Sequence, residues 1–480
     1  MSVVQAILGL LSWFALAYFA FLAGLYTWFT LVAWRTLAAL RRARAYAPLD
    51  EIYASPFAPG VSMLLPAYNE EAGVVASATS LLALRYPRHE VIVINDGSTD
   101  GTLQQLQEAF DLVPVREALR SRIPAKPLHG AYVSRRHRNL WVLDKENGGK
   151  ADALNAGINA ASHPYFCAVD ADAILEDDSL LRIVKPVIDD PDGLVAAAGI
   201  IRIANGATIS GGRMLDFRLP RSRLATMQVV EYFRAFLVGR IGWDSLGALL
   251  VVSGAFGLFR RSAVEEVGGY ALGTVGEDIE LVVRLQARLR ERHAKFRIAF
   301  VPEPTCWTEA PEDLKTLSTQ RRRWQRGLGE TLWRHRRMMA NPRYGAVGLL
   351  ALPYFLVAEF LGSVIEVFGI FIVVAAVATG AVTVSALLAY TAVSMLIWIL
   401  LSFSAILLEE YAIRRYVHGR DIAKMVLYSL SESIGYRQLN AFWRCQGIVD
   451  LARRRKGWGT MPRRGLERPT EAPPGKMTRA

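Results

Sequence analysis

Two aspartates separated by one residue, Asp170 and Asp172, directly follow an apolar run from Tyr165 to Val169 that is typical of a buried strand. Carboxylate oxygens in such a pair suit Mg²⁺ or Mn²⁺, which keep coordination positions open for the phosphates of a nucleotide. An Asp-x-Asp triplet occurs often by chance, but ligands of open α/β sheets bind at the carboxyl ends of strands, where this pair lies. The residues therefore predict a metal-dependent site for a phosphorylated ligand.

Two more apolar runs end in polar loops of the same kind. Residues 61–65 enter a turn at residues 66–71, and residues 91–94 stop at a polar loop, residues 95–100. A lone Asn-Asp-Gly-Ser is more often only a turn, but at strand ends both loops lie where a nucleotide would bind. The chain has neither a Walker lysine loop nor a dinucleotide glycine fingerprint, which argues against an ATPase and a dehydrogenase.

These loops must be positioned by the segment that contains them, residues 59–315. Apolar strand-like runs alternate there with helical stretches, the pattern of a layered α/β domain. Between Asp111 and Arg138 the alternation gives way to Pro- and Arg-rich sequence, which predicts an exposed insertion.

The rest of the chain is markedly apolar, and hydrophobic residues make up 52% of the whole against 21% charged residues. Residues 3–34 carry no charge and are longer than the roughly 20 residues that a helix needs to cross a bilayer. They also lack the basic start and the cleavage site of a signal peptide, so they predict a spanning helix. Residues 344–408 form a second apolar region with a turn expected around Gly380. Together they predict three spans, and Pro353 is placed to split off a fourth, interfacial piece.

The net charge of +12 is concentrated beside these apolar regions. The basic residues are Arg35, Arg41, Arg42 and Arg44 after the first region, and Arg414, Arg415, Arg420 and Lys424 after the last. Juxtamembrane charge of this kind indicates a membrane protein rather than a nucleic-acid-binding one. By the positive-inside rule we expect an integral cell (inner) membrane protein with its amino terminus outside and its α/β domain in the cytoplasm.

Two carboxylates interrupt the second apolar region. Glu359 and Glu366 are seven residues apart and would share one helical face, where an ionised group is costly unless it meets a cavity or a partner. They would either line a polar path or make a hydrogen-bonded contact between helices, and the sequence leaves both interpretations open.

Four further motifs follow in order: Lys145-Glu146-Asn147-Gly148-Gly149-Lys150, Val252-Ser253-Gly254-Ala255-Phe256-Gly257, Gly276-Glu277-Asp278 and Gln320-Arg321-Arg322-Arg323-Trp324. With the strand-end loops and a Gly-Trp-Gly at 457–459, they resemble the membrane-embedded processive glycosyltransferases of family 2, the group of poly-N-acetylglucosamine, cellulose, hyaluronan and chitin synthases. The resemblance covers about residues 60–460.

This resemblance implies an α/β fold in which a GT-A-type, Rossmann-like nucleotide-sugar domain is inserted between transmembrane helices, with amphipathic interface helices. The expected parts are an N-terminal transmembrane helix (1–36), a cytoplasmic linker (37–58), the glycosyltransferase domain (59–315), an amphipathic interface helix (316–343), transmembrane helices (344–410) and a basic cytoplasmic segment that is amphipathic and then disordered (411–480).

The resemblance also implies which residues bind a UDP-sugar donor: Ala67, Tyr68, Glu70, Asp96, Lys150, Asp170, Gln320 and Arg323. Asp96 would sit against uracil and ribose, although Asn95 precedes it where many relatives have a second aspartate. Asp172 would hold Mg²⁺ or Mn²⁺ on the diphosphate, because a cation neutralises the charge that builds on departing UDP.

Asp278 would be the general base that takes a proton from the acceptor hydroxyl as this attacks the anomeric carbon. One displacement inverts that centre, so an α-linked donor would give a β-linked product. Glu277 beside it would repel negative charge and raise the proton affinity of the base. The alternative is that both acids merely begin a helix at Ile279 and are favoured by its dipole.

On the acceptor side the implied residues are Ser253, Gly254, Glu277 and Trp324. Arg323 would fork onto the diphosphate, and the indole of Trp324 would offer a flat face to the acceptor sugar. The segment continues with Trp333 and several arginines, which predicts an amphipathic helix on the cytoplasmic membrane face. A purely interfacial basic helix explains the arginines but not Gln320 and Trp324 at this spacing.

The expected activity is that of an inverting, processive glycosyltransferase that polymerises a UDP-sugar, UDP-N-acetylglucosamine before UDP-glucose, into a β-linked polysaccharide and exports it through its membrane region. The alternative is a non-processive transferase that adds one sugar to a membrane lipid. A catalytically dead scaffold is disfavoured by Asp172, Asp278 and Trp324. The expected partners are the donor, a growing glycan or lipid acceptor, membrane lipids and a small membrane subunit, but no nucleic acid.

Overall fold

The computed structural model describes residues 3–44, 53, 55–115, 121–210, 213–380, 382–413, 416 and 418–455. Within these residues a long helix, α1 (Val3–Arg44), is followed by a ten-stranded sheet with its covering helices and then by further apolar helices. This order confirms the expected α/β domain inserted between membrane helices.

The sheet contains β1 (Val61–Ala67), β2 (His89–Asp96), β3 (Leu112–Pro114), β4 (Leu128–Ser134), β5 (Leu140–Lys145), β6 (Tyr165–Val169), β7 (Ala173–Leu175), β8 (Leu194–Ile203), β11 (Phe256–Arg260) and β12 (Arg297–Thr308), while β9 (Thr208–Ser210) and β10 (Arg213–Asp216) pair separately. Their order is β3-β4-β5-β2-β1-β6-β11-β8-β12-β7. Strands β5, β2, β1 and β6 are parallel, so their carboxyl ends meet at one edge. The three strands expected from the apolar runs are confirmed.

Helices cover the sheet on both faces, which explains why β1, β2 and β6 read as continuous apolar runs. The helices of this part of the chain are α2 (Val74–Leu82), α3 (Thr102–Phe110), α4 (Lys150–Ala160), α5 (Ser179–Asp189), α6 (Arg223–Phe233), α7 (Ile241–Ser245), α8 (Arg261–Glu266), α9 (Glu277–Glu291) and α10 (Leu314–Arg334), with a π-helix at Arg234–Arg240 between α6 and α7. Gly157 lets α4 approach closely, since a Cβ there would lie 3.0 Å from Ile94 and 3.2 Å from Leu64.

The expected exposed insertion between Asp111 and Arg138 is wrong in part, because β3 and β4 fall within it. β4 pairs antiparallel with β5, with Tyr132 opposite Val142, and β3 extends the sheet beyond β4. Gly130 interrupts the side-chain alternation of β4, so this strand depends on its partner rather than on a period of its own.

The second apolar region begins with irregular helix around Pro353. A π-helix at Val347–Ala351 is followed by α11 (Leu352–Tyr354) and a second π-helix at Phe355–Phe360. Proline lacks the N–H that an α-helical hydrogen bond needs, so a change of helical register here is expected. The fourth, interfacial piece is therefore a change of register within the second span rather than a separate helix.

Among the described residues, three stretches are long and apolar enough to cross a membrane: Ala17–Arg42, Val347–Ala378 and Thr391–Ala412. These three candidate spans agree in number with the sequence prediction. Helix α12 (Gly362–Ala378) ends just before Gly380, which has a φ of +68°, and α13 (Val384–Ala412) starts after it, as the expected turn requires.

Helix α1 is longer than expected, because it continues to Arg44 through the first part of the predicted linker. The buried side chain of Phe29 packs on Trp243 with ring centroids 5.1 Å apart, and the guanidinium of Arg41 lies 4.7 Å from the ring centroid of Tyr411. Helix α1 is thereby packed against both the α/β domain and α13.

Two helices, α14 (Gly419–Glu432) and α15 (Tyr436–Ala452), form the described part of the carboxyl-terminal segment. Helix α15 lies along α10, where Arg322 donates to Asp450 at 2.8 Å and a Cβ on Gly447 would lie 2.8 Å from the Arg322 carbonyl oxygen. The Gly-Trp-Gly motif, Arg414, Arg415 and the tail expected to be disordered lie outside the described residues.

The two carboxylates of the second span both face α15. Glu366 pairs with Arg437 at 2.9 Å and Glu359 with Arg444 at 3.1 Å, and Glu359 also accepts a hydrogen bond from the Tyr354 hydroxyl at 3.3 Å. The helix-contact interpretation therefore holds for both. Glu359 additionally lines the cavity described next.

Candidate active site

A cavity of about 1380 Å³ opens at the carboxyl ends of β1, β2 and β6 and is closed on the other side by α9 and α10. It brings together every site residue that the sequence predicts: Ala67, Tyr68, Glu70, Asp96, Lys150, Asp170, Asp172, Ser253, Gly254, Glu277, Asp278, Gln320, Arg323 and Trp324. Strand ends and helix ends that are far apart in sequence thus face one space.

The loops after β1 and β2 form the first wall and are hydrogen-bonded to each other. The Asn69 amide N–H donates to the Ser98 hydroxyl at 3.0 Å, and the Thr99 N–H donates to the Asn69 side-chain oxygen at 2.8 Å. The Glu70 N–H donates to the Thr102 hydroxyl at 2.9 Å. This mutual bonding sets the shape of the wall.

Asp96 lies at the base of this wall and is 3% exposed. Its carboxylate accepts from the Lys145 ammonium at 2.7 Å and from the amides of Gly148 and Gly149 at 3.0 and 2.7 Å. Lys145 is fully buried and also pairs with Asp152 at 2.6 Å. Asp96 therefore orders the glycine loop that precedes α4.

Asn95 does not line the cavity. It is buried, and its amide donates to the Asp144 carboxylate at 2.7 Å on the neighbouring strand β5. The departure from relatives at this position thus faces the sheet rather than a ligand.

Lys150, the first residue of α4, crosses the cavity floor. Its ammonium bonds to Asp170, donates to the Gly254 carbonyl at 3.2 Å and lies 3.8 Å from Glu277. Burial alone would lower the pKa of Lys150, but the charges of Asp170 and Glu277 outweigh burial and raise it. The residue is a fixed positive charge that links the strand ends to the start of α9.

The Asp170–Asp172 turn is a candidate metal site that offers only oxygen donors. The Ser77 hydroxyl donates to the Ala171 carbonyl at 2.6 Å and holds the turn against α2. Over the described parts of the chain, no group of three or more His, Cys, Asp or Glu side chains is arranged to hold a metal. A cation that takes phosphate oxygens and waters needs only one or two carboxylates. The donor set therefore fits Mg²⁺ or Mn²⁺ bound together with a phosphorylated ligand.

Asp278 lies at the first turn of α9 and faces the cavity. Its carboxylate accepts from the Gly254 N–H at 3.3 Å and from the Ile279 N–H at 2.8 Å. Burial raises the pKa of Glu277 to about 7, an effect that Lys150 opposes and Asp278 increases. Glu277 and Asp278 therefore lie in the first turn of α9, as the helix-dipole interpretation requires, and they also line the cavity, as the catalytic interpretation requires.

Helix α10 approaches this point through two glycines. A Cβ on Gly327 would lie 2.8 Å from the Cα of Gly276, and a Cβ on Gly276 would lie 2.9 Å from the Cα of Gly327. The contact brings Trp324, with 42% of its side chain exposed, to the same cavity as Asp278. The backbones meet closely because neither residue has a side chain.

A further wall of the cavity, which the sequence did not predict, is formed by α6 and the π-helix after it. Glu231, Tyr232 and Arg240 line the cavity from there. Burial lowers the pKa of Arg240 to about 10, and the charge of Asp278 opposes this shift. The segment carries no motif, and its only signal is charged residues within an otherwise apolar helical pattern.

Two family models match the chain in succession. Residues 62–268 match Glycosyl transferase family 2, which covers the strand-end half of the cavity, and residues 271–450 match Chitin synthase, which covers α9, α10 and the helices that follow. Together with the α/β fold and the three apolar helices, these matches make the chain similar to membrane-associated glycosyltransferases, to family 2 over residues 62–268 and to chitin synthases over residues 271–450.

Among individual proteins, the poly-beta-1,6-N-acetyl-D-glucosamine synthases of Staphylococcus aureus (strain COL) and Staphylococcus epidermidis are 32% and 31% identical over 277 and 278 residues. The aligned region covers 57% of this chain and 56% of each relative, so the chain spans little more than half the length of these proteins. The solved mannosyltransferase PcManGT from Pyrobaculum calidifontis, in complex with GDP-Man and Mn²⁺, has a TM-score of 0.50 and 17% identity over 87% of this chain and 99% of that one. This likeness concerns the fold alone.

Proposed function

We propose that the protein is an inverting, processive glycosyltransferase that polymerises a UDP-sugar, with UDP-N-acetylglucosamine the favoured donor, into a β-linked polysaccharide. The observation that carries the proposal is one cavity that joins the Asp170–Asp172 turn, Asp278 and Trp324. The names of the relatives, poly-N-acetylglucosamine synthases, support N-acetylglucosamine as the sugar.

The donor would bind at the strand ends. Asp96 accepts two hydrogen bonds on Oδ1 and one on Oδ2. An ionised carboxylate has about four acceptor positions, so one remains for an N–H of uracil. Tyr68, whose side chain is 51% exposed, would form the wall beside the base. Arg323 and Gln320 would bind the diphosphate from α10.

Asp172 would hold the divalent cation, with Asp170 beside it. Bound there, Mg²⁺ or Mn²⁺ would neutralise negative charge on the UDP leaving group. Lys150, whose side chain is 16% exposed, already supplies a positive charge next to this turn and holds Asp170 in place.

Transfer requires an acceptor hydroxyl to attack the anomeric carbon on the face opposite UDP. In the proposed step the Asp278 carboxylate takes the hydroxyl proton, the new glycosidic C–O bond forms and the bond to UDP breaks. The hydrogen bonds from Gly254 and Ile279 keep this carboxylate aimed at the cavity. A single displacement inverts the configuration, which converts an α-linked donor into a β-linked product.

The acceptor sugar would stack on the exposed face of Trp324. Beyond Trp324 the cavity continues to Phe355 and Glu359, which belong to the second span. This continuity supports export of the product through the membrane region. The basic residues Arg41 and Arg42 near the end of α1 support a cytoplasmic catalytic domain and an external amino terminus.

The decisive experiment uses the full chain purified in detergent. It is incubated with individual UDP-sugars and Mg²⁺ or Mn²⁺, and the products are sized. We expect a polymer from one donor, with UDP-N-acetylglucosamine tested first. If each active donor yields only a one-sugar lipid, the polymer proposal fails and the glycolipid alternative takes its place.

A further inference from the structure

Arg321, within the motif that ends in Trp324, is not among the residues that line the cavity. It is 6% exposed, and its guanidinium forks onto the carboxylate of Glu231, with N–O distances of 2.5 and 2.9 Å. Such a bidentate pair has one well-defined geometry. Arg321 is thereby fixed in direction from α6, a helix about 90 residues earlier in the chain.

Glu231 is itself held from a third helix. The hydroxyl of Tyr436, the buried first residue of α15, donates to the Glu231 carboxylate at 2.7 Å. Burial alone would raise the pKa of Glu231, but Arg321 and the Tyr436 hydroxyl outweigh burial and lower it. The carboxylate is therefore ionised and is tied to α10 and α15 together.

The guanidinium of Arg321, held by Glu231, is stacked on the indole of Trp324. The Cζ atom of Arg321 lies 4.7 Å from the centre of the Trp324 ring. Residues three apart share one face of a helix, and guanidinium groups stack favourably on indole. Trp324 is 42% exposed, so its indole has room to turn, and a fixed guanidinium against the ring would limit its orientation.

The next residue of the motif provides a contrast. Arg322 also pairs with a carboxylate, Asp450, at 2.5 and 2.8 Å, and it also joins α10 to α15. Its guanidinium is not stacked on Trp324 among the described ring contacts, where Arg321 takes that place. The neighbouring residues Arg321 and Arg322 thus both pair with a carboxylate of another helix, and of these two only Arg321 is stacked on Trp324 among the described ring contacts.

We propose that Glu231 is a positioning residue that acts through Arg321 to hold the indole of Trp324 in the orientation that receives the acceptor sugar; the proposal rests on the proposed function. In this role Glu231, which lies in the cavity wall formed by α6, acts through Arg321 rather than on the reacting atoms. Loss of the Glu231 charge would free Arg321 and then Trp324, without changing the strand-end loops that bind the donor.

The test compares Glu231→Gln, Glu231→Asp and the matched control Asp450→Asn in the full-length protein, with the UDP-sugar that the wild-type enzyme uses. For Glu231→Gln we expect kcat and mean product length to fall about ten-fold, while the KM for the donor and the affinity for UDP stay within about two-fold. Glu231→Asp should recover part of the product length. Asp450→Asn should leave product length unchanged.

A double-mutant cycle separates positioning from general damage. In a Trp324→Ala background, Glu231→Gln should cause little further loss, because both changes remove the same platform. Additive losses, or an equal shortening of product by Asp450→Asn, would overturn the proposal.

If Glu231→Gln does not fold, Tyr436→Phe, which removes only the hydroxyl bond to Glu231, should give a smaller loss of product length in the same pattern. A wild-type enzyme that makes only a one-sugar lipid would end the polymer proposal, but the kcat and cycle measurements would still decide the role of Glu231.

Discussion

The two halves of the cavity are built in different ways. The half where we propose that the donor binds, called the donor half, consists of strand-end loops whose polar groups bond to each other and to backbone amides, as Asp96 does with Gly148 and Gly149. The half where we propose that the acceptor binds, called the acceptor half, consists of helices joined by buried or partly buried Arg–carboxylate pairs between residues far apart in sequence, such as Arg321 with Glu231.

This difference has an energetic consequence. Hydrogen-bond register between parallel strands fixes the donor half, so a single side-chain change there should alter binding rather than architecture. Helix positions in the acceptor half depend on a few buried ion pairs, and removal of one partner of such a pair strands the other charge. Among these pairs, Arg234 with Glu432 and Arg202 with Glu409 also tie the α/β domain to α14 and α13. Apart from Gln320 and Arg323, which we propose bind the diphosphate, changes on the helical side should therefore affect catalytic output more than donor affinity.

The largest effect is expected where the two halves meet, at Asp278. Asp278→Asn should reduce transfer by roughly 1000-fold because the proton acceptor is lost. Affinity for UDP should stay near the wild-type value, since the strand-end contacts remain. Turnover assays and calorimetric titration with UDP measure the two quantities. Near-normal turnover would remove Asp278 as the base.

A change in the donor half should show the opposite pattern. Asp172→Ala should lower activity by roughly 100-fold and weaken UDP binding only when Mg²⁺ or Mn²⁺ is present. Excess chelator should likewise stop the wild-type reaction. Titrations with UDP, with and without the metal, provide the readout. Full activity in chelator would contradict the metal assignment.

The close approach of α10 to α9 offers a milder change on the acceptor side. Gly327→Ala places a Cβ 2.8 Å from the Cα of Gly276, so the helices must separate slightly. We expect activity to fall about ten-fold and stability by about 1–3 kcal/mol, with a smaller effect on UDP affinity. In the control Gly369→Ala, nothing lies within 4 Å of the added Cβ, and both properties should be retained. If Gly327→Ala weakens UDP binding as much as turnover, the two halves are not separable.

The smallest effect concerns stability and pH at the base of the acceptor half. Glu280 is 1% exposed and accepts from His335 at 3.1 Å and from Arg284. Burial alone would raise the pKa of Glu280, but these partners outweigh burial and lower it from 4.5 to about 2. The ionised carboxylate therefore stabilises the fold above about pH 4.5, and this contribution disappears as the pH falls toward 2.

Glu280→Gln should accordingly destabilise the protein by about 2 kcal/mol at pH 7, and the difference from wild type should shrink on acidification. Thermal unfolding in detergent between pH 7 and pH 3 measures this. Glu266→Gln, which removes a more exposed ion pair with Arg292, serves as the control and should change stability by less than about 1 kcal/mol. A pH-independent difference would show that the charge of Glu280 is not the cause.

Local sequence predicted the donor half well. Apolar runs located β1, β2 and β6, and the polar residues that follow them lie in the cavity wall. Hydropathy located the three spans and the turn at Gly380, because length and composition suffice for that inference. Motif spacing located Asp278 and Trp324 but not what holds them. The role of each of these residues stays a prediction.

Long-range contacts decided the rest. Strand β4 was missed because its pairing with β5, and not an alternation of its own, makes it a strand. Asp96 was expected to face a nucleotide, and only the folded chain brings Lys145 and two amides onto its carboxylate.

Glu231 shows the limit of sequence reasoning most clearly. The amino-acid sequence by itself determined the chemical groups, strands β1, β2 and β6, the three apolar helices, and the motif that ends in Trp324. Only the tertiary structure decided that a carboxylate of α6 and a hydroxyl of α15 hold the arginine beneath that indole. The physical reason is that the bonds of Glu231 to Arg321 and to Tyr436 join residues 90 and 205 positions apart, so no local period or spacing in the sequence indicates them.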